Sequence, residues 1–168
     1  MIVEKATERD VRFVVGHLRE LDKRELLATG CVLAELPTRI AVDAAFAFVA
    51  IEDDWMPVAV WGLMSQRKGV GTGFAFGTER WGKALPAMMR HIRSWVLPCL
   101  LATGFHRVEC AALAHRKDVA RFLALIGAQP EAVLRQWGIN GEDFVSYRWL
   151  ADEHRAATQT ASDQHVSH

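Results

Sequence analysis

The side chains in this 168-residue sequence that acid, base, nucleophile or ligand chemistry could use are scattered, so their settings decide what each can do. Glu109 stands two residues after Arg107 in a short apolar run. An alternating strand there would put those two on one side and Val108, Cys110 and Ala112 on the other. Burial would raise the Glu109 carboxyl toward neutrality and make it a general base, whereas pairing with Arg107 on a wetted face would leave it an ordinary carboxylate. Cys110 reads as a small core residue, because a reactive thiol needs a basic or His-rich setting. His115 and Arg116 stand at a helix start, where polar residues commonly cap. Trp81, in a polar turn beside Arg80 and Lys83, is either packed under that turn or an exposed aromatic of the kind that anchors interfaces. His154, His165 and His168 follow no ligand spacing, so no metal site is expected.

The elements that must position these residues can be read from periodicity. Ile2 to Lys5 is a short strand, and Thr7 with Asp10 carries the N-cap chemistry of a following helix whose apolar stripe is Val11, Val14, Val15, Leu18 and Leu21. A second short helix spans Arg24 to Ala28 and stops at Gly30. After Pro37, apolar runs at Ala45 to Ile51, Val58 to Met64 and Val70 to Phe76 are separated by polar, turn-length segments and read as consecutive antiparallel strands. Leu85 to Leu100 returns to helical spacing, with Pro98 bending its last turns and Gly104 ending it. Phe105 to Leu113 is a strand, and Val119 to Ile126 an amphipathic helix closed by Gly127. Ala132 to Trp137 and Phe144 to Leu150 flank Asn140-Gly141, a dipeptide that favours a tight hairpin. The fold class is therefore α/β, with a mixed, mainly antiparallel sheet and flanking helices. Residues 1–150 form one domain, and 151–168 a polar tail, mobile unless a partner orders it.

Composition narrows the function classes. With 51% hydrophobic residues the chain can bury a core, and 20 basic against 20 acidic residues leave no net field toward nucleic acid or an anionic membrane. Cys31, Cys99 and Cys110 have neither disulfide nor zinc spacing, which fits a reducing compartment. Charges near the N-terminus interrupt any signal-like run, and no segment is apolar for long enough to span a bilayer. A cytoplasmic protein is expected.

The element order resembles the GNAT family of N-acetyltransferases over roughly residues 1–150. More specific is Thr103-Gly104-Phe105-His106-Arg107-Val108-Glu109-Cys110 followed by the run from Val119 to Ala128. This is similar to the family's second half, where a strand and a helix ending in a Gly-aromatic pair help hold coenzyme A; Ala128 replaces the aromatic here. The resemblance implies that acetyl-CoA, if bound, lays its diphosphate on the turn that carries a Gln/Arg-x-x-Gly-x-Gly/Ala signature in the family. The matching residues are Arg80, Trp81, Gly82, Lys83 and Ala84, with Glu79 in the basic position and Pro86 removing an amide donor. It also implies His115 and Arg116 near the pantetheine arm and Glu109 as the base. Leu123 stands where many active members carry the tyrosine that protonates the departing thiolate, and the one tyrosine, Tyr147, lies in the last hairpin.

The run Arg121-Phe122-Leu123, with Ile126-Gly127-Ala128, Leu134-Arg135 and Gly141, further resembles acetyltransferase-like internal virion proteins of short-tailed phages. That implies a degenerate acetyl-CoA site and a virion or virion-assembly component that works by protein binding, located in the host cytoplasm and the virion. The alternative is an active acetyl-CoA-dependent N-acetyltransferase acting on an amine or protein substrate. A third reading is an inhibitor or modifier of a host protein.

Overall fold

The computed structural model describes residues 1–165, with side chains described through Gln159; the His165 side chain and all of His168 lie outside what is described. The chain runs β1 (Ile2–Lys5), α1 (Glu8–Gly16), α2 (Glu20–Ala28), α3 (Leu36–Asp43), β2 (Ala44–Ile51), β3 (Pro57–Arg67), β4 (Val70–Gly77), α4 (Trp81–His91) and a π-helical turn (Ile92–Val96). It continues with α5 (Leu97–Ala102), β5 (Arg107–Leu113), α6 (Lys117–Leu125), β6 (Gln129–Leu134), β7 (Phe144–Leu150) and α7 (Ala151–His165). The seven strands form one sheet in the order β1-β2-β3-β4-β5-β7-β6, antiparallel everywhere except between β4 and β5. The mixed α/β class read from periodicity is the one observed.

Two apolar layers cover the sheet. Val11, Val14 and Ile40 from α1 and α3 pack on Val49, Val60 and Phe76 on one face. Met88, Ile92, Leu97, Leu100 and Leu123 pack on Trp61, Tyr147 and Trp149 on the other. The capping box read from Thr7 and Asp10 is present: Asp10 N–H donates to Thr7 Oγ1, and Thr7 N–H to the Asp10 carboxylate at 2.9 Å.

Several elements differ from the sequence expectation. The helix α3 was not anticipated; Pro37, in its first turn, starts it where the missing N–H is harmless, and Pro37 and Ile40 are its buried residues. α2 begins at Glu20 rather than Arg24. The segment expected as one bent helix from Leu85 starts at Trp81, and its hydrogen-bond ladder widens before Pro98, with Leu97 N–H donating to Ile92 O in the i→i+5 pattern of a π turn. The tight hairpin at Asn140-Gly141 is replaced by a longer loop, residues 135–143, because Ile139 N–H donates to Ala28 O and pulls the loop onto α2. Gly141 keeps its positive φ of 83° inside that loop. Past Leu150, where the sequence shows no periodicity, the chain continues directly into α7; Ala151 is buried, and Arg148 reaches Glu153 at 2.7 Å.

Candidate functional site: a split sheet and a charged turn

β4 and β5 pair only through Val70–Arg107, Gly71–Val108 and Thr72–Glu109. Beyond Thr72, β4 stays with β3 as far as Gly77, while β5 stays with β7 as far as Leu113, so the sheet opens into a wedge. A cavity of about 220 Å³ occupies it and reaches both faces: Phe74 and Ala111 border it on one side, Ile92, Leu97, Phe122 and Leu123 on the other. Parallel strands that separate leave main-chain donors on their inner edges, which must find partners.

Here α2 supplies them. Asp22 Oδ2 accepts Gly77 N–H from β4 at 2.9 Å, and Glu25 Oε2 accepts Leu113 N–H from β5 at 2.9 Å. Arg116 joins the two carboxylates: its guanidinium donates to Asp22 Oδ1 at 3.0 Å, to Asp118 at 2.8 Å and to Leu21 O at 3.1 Å, and it lies 3.6 Å from Glu25. Arg116 and Asp22 are shut off from water while Asp118 stays at the surface; burial pushes the Glu25 carboxyl above its ordinary range, and the Arg116 guanidinium holds Asp118 down to about 2. Arg116, expected beside a pantetheine arm, is thus a buried structural cation with its donors engaged; its neighbour His115 is exposed. Nothing in the local sequence marks this arrangement, since Arg116 and Asp22 stand 94 positions apart.

The turn after β4 is ordered by Thr78. Its carbonyl accepts Trp81 N–H at 2.9 Å, and its hydroxyl accepts Arg80 N–H at 3.2 Å. Trp81 is buried, not an exposed anchor: Arg19 lies 4.6 Å over its ring, and Phe122 meets it edge-on at 6.0 Å. Gly77 makes room for it, because a Cβ there would sit 2.6 Å from the indole and 2.9 Å from Val58 O. Gly82 instead faces open space, and Ala84 is buried.

The basic residues of the turn are already paired. Glu52, at the end of β2, bonds Arg80 and lies 3.1 Å from Lys83 Nζ, and Asp54 accepts a second Arg80 bond at 3.0 Å. These cations hold the Glu52 and Asp54 carboxyls below their ordinary range. The Glu79 carboxylate, one residue before Arg80, accepts Glu20 N–H at the start of α2 at 3.3 Å. Three carboxylates therefore stand against two cations around the N-terminus of α4, and Trp81 and Lys83 N–H are bonded to Thr78 O and Arg80 O. Arg80 and Lys83 are thus both engaged with carboxylates at this turn. Asp53-Asp54 reads in sequence as a plain turn, and neither Glu52 nor Asp54 carries a local signal of this role.

Glu109 reaches the wedge, with one carboxylate oxygen 2.8 Å from Arg107 Nε, as strand alternation implied. Arg107 also grips Glu131. Cys110 borders the cavity, and burial pushes its thiol up to about 12, so it is a protonated, inert thiol at neutral pH. Tyr147, directly across from Cys110 on β7, borders it too, and burial raises its phenol. Among the described residues no group of three or more His, Cys, Asp or Glu could hold a metal ion, and no helix is long and apolar enough to cross a membrane.

No protein-family model and no curated protein sequence matches the chain. Its fold, however, matches solved acetyltransferases. The phosphinothricin acetyltransferase of the GNAT superfamily from Sinorhizobium meliloti, in complex with acetyl-CoA, superposes with a TM-score of 0.67 at 15% identity over 89% of this chain and 87% of that one. A spermidine N-acetyltransferase from Vibrio cholerae gives 0.66 at 13% identity, covering 91% and 96%. An acetyltransferase of the GNAT family from Streptococcus pneumoniae gives 0.63 at 14% identity, covering 89% and 98%. At these identities the likeness establishes the GNAT fold.

Proposed function

We propose that this chain is a GNAT-fold protein that works by binding rather than by acetyl transfer, its acetyl-CoA site being degenerate. The observation that carries this is Arg80 and Lys83 held by Glu52 and Asp54, two carboxylates that cancel the two cations a diphosphate would need. Leu123, buried in the cavity wall where the family's tyrosine would stand, supports the same reading, since it has no proton to give. The partner we propose is another protein, in a virion or its assembly, as the resemblance to phage proteins suggests. Exposed apolar side chains at the β6–β7 end, Val133, Trp137 and Ile139, are of the type that protein interfaces use. Calorimetric titration with acetyl-CoA tests the proposal. No saturable heat is expected, and micromolar binding with acetyl transfer to any amine would overturn it.

A second reading is an acetyl-CoA-dependent N-acetyltransferase for an amine or protein. The wedge between β4 and β5 favours it, with Glu109 at the wall as a base and Tyr147 as a protonated hydroxyl in place of Leu123. On this reading Tyr147→Phe abolishes turnover, while Leu123→Val leaves it intact.

A further inference from the structure

We infer that the tip of the β2–β3 hairpin, with the groove beside it, is a docking surface for a protein segment that carries arginine next to an aliphatic residue. It lies toward the β1 edge of the sheet, opposite β6, and its groove shares no bordering residue with the wedge. The inference goes beyond the proposed function, because it holds whether or not acetyl-CoA binds.

The first argument is the backbone. Between β2 and β3, Trp55 has a φ of 63°, a conformation that suits glycine and that a bulky side chain adopts only against steric resistance. Two hydrogen bonds hold the turn in this form: Glu52 N–H donates to Met56 O at 3.1 Å, and Trp55 N–H to Glu52 O at 2.9 Å. The indole is 73% exposed, so its burial does not offset the strain. Residues kept in such conformations cluster at ligand clamps and switch regions.

The second argument is the surface around it. Met1, Ile2 and Met56 are exposed at the same end: Ile2 pairs with Ile51 at the end of β2, and the Met1 amino group lies 3.3 Å from Asp53. Beside the hairpin a groove of about 360 Å³ is bordered by Phe13, His17 and Leu18 on one side and by Met56 and Pro57 on the other. His17 stacks on Phe13 with ring centres 4.3 Å apart, which gives the groove a flat wall. Such a lining suits an aliphatic side chain, and exposed tryptophan and methionine are residue types that interfaces concentrate.

The third argument is charge. Asp53 is 95% exposed and Asp54 52%, and Glu79 borders the groove. Over the hairpin and the turn after β4, the carboxylates of Glu52, Asp53, Asp54 and Glu79 outnumber the cations of Arg80, Lys83 and the Met1 amino group. Arg80 also borders the groove, but it is held by Glu52 and Asp54. A basic segment therefore meets complementary charge here, whereas an acidic segment or an anionic lipid headgroup meets repulsion. Arginine suits the surface better than lysine, because its planar guanidinium can stack on an indole while it bonds a carboxylate.

The test is NMR of the full chain titrated with the peptide acetyl-Leu-Arg-Leu-Arg-amide and, separately, with acetyl-Leu-Glu-Leu-Glu-amide, followed at the Trp55 indole N–H and the Met56 methyl. The arginine peptide should shift both signals to saturation, leave the exposed Trp137 indole still, and bind more weakly as salt is added. The glutamate peptide should bind at least tenfold more weakly. Trp55→Gly suits the positive φ, so this variant should unfold at or above the parent's temperature while losing at least tenfold in affinity for the arginine peptide. Asp53→Asn, a change at an exposed side chain, should lose at least threefold. Absence of saturation, equal affinity for the two peptides, or undiminished binding in either folded variant overturns the inference. So does a Trp55 signal that moves with vesicles of phosphatidylserine and phosphatidylcholine and not with the peptide. Acetyl-CoA titrated into a separate sample reports on the proposed function alone.

Discussion

Arg116 Nη2 lies 3.0 Å from Asp22 Oδ1, with both side chains shut off from solvent, and this contact ties α2 to the start of α6 across the open end of the sheet. The other oxygen of Asp22 holds Gly77 N–H, so one carboxylate serves a side-chain cation and a strand edge together.

Asp22→Ala leaves Gly77 N–H without its acceptor and takes from the buried Arg116 guanidinium its one fully buried carboxylate partner, with Asp118 and Leu21 O remaining. Breaking a buried pair from one side typically costs about 3–5 kcal/mol, and a loss in that range is expected in urea unfolding. Replacing both residues, Asp22→Leu with Arg116→Met, should lose less than the two single changes together. A loss below about 1 kcal/mol for Asp22→Ala would mean that the cluster does not hold the strands.

The same cluster predicts two opposed pH effects. Asp118 is depressed to about 2 from 3.8, so its contribution is present above pH 4 and disappears as pH falls toward 2. Glu25 is raised from 4.5, so its contribution is present below pH 4.5 and is lost as pH rises above that value. Asp118→Asn should flatten the acid limb of stability between pH 4 and 2, and Glu25→Gln should flatten the decline above pH 4.5. Unfolding curves across pH 2–7 measure both, and an unchanged acid limb in Asp118→Asn would contradict the assignment.

If carboxylates block the turn after β4, removing them should admit an anion. The variant carrying Glu52→Gln, Asp54→Asn and Glu79→Gln should bind pyrophosphate at least tenfold more tightly than the parent at low ionic strength, and less so as salt screens the site. Equal affinity in calorimetry would show that charge is not the obstacle.

Two glycines five positions apart should respond in opposite ways. Gly77→Ala drives a methyl into Trp81 and Val58 O, and overpacking of this kind costs about 1–3 kcal/mol. Gly82→Ala has open space in the first turn of α4 and should be neutral or stabilising by up to about 1 kcal/mol. Thermal unfolding of the pair decides it, and comparable losses at both positions would refute the packing argument.

Much of the fold was legible because local rules and the final structure agree. The Thr7–Asp10 box and the α6 stripe are set within a few residues of chain, and the three central antiparallel strands pair with their sequence neighbours across short polar turns. The α3 helix and the β6–β7 loop escaped because their stability comes from elsewhere: Ile40 from the Val49 and Val60 layer, the loop from Ala28 O. Asn140-Gly141 has the chemistry of a tight turn, but a tertiary hydrogen bond at Ile139 outweighed it.

The candidate site divides along the same line. By itself the sequence determined the order of elements, the turn from Glu79 to Ala84 and the placement of Leu123, because periodicity and turn chemistry act over one or two turns of chain. Only the tertiary structure decided that Trp81 is buried, that Glu52 and Asp54 hold Arg80, and that Asp22 and Glu25 close the split strands. Charges and main-chain donors are satisfied by whatever folding brings within about 3 Å, and which residues those are depends on sheet topology rather than on their neighbours in the chain.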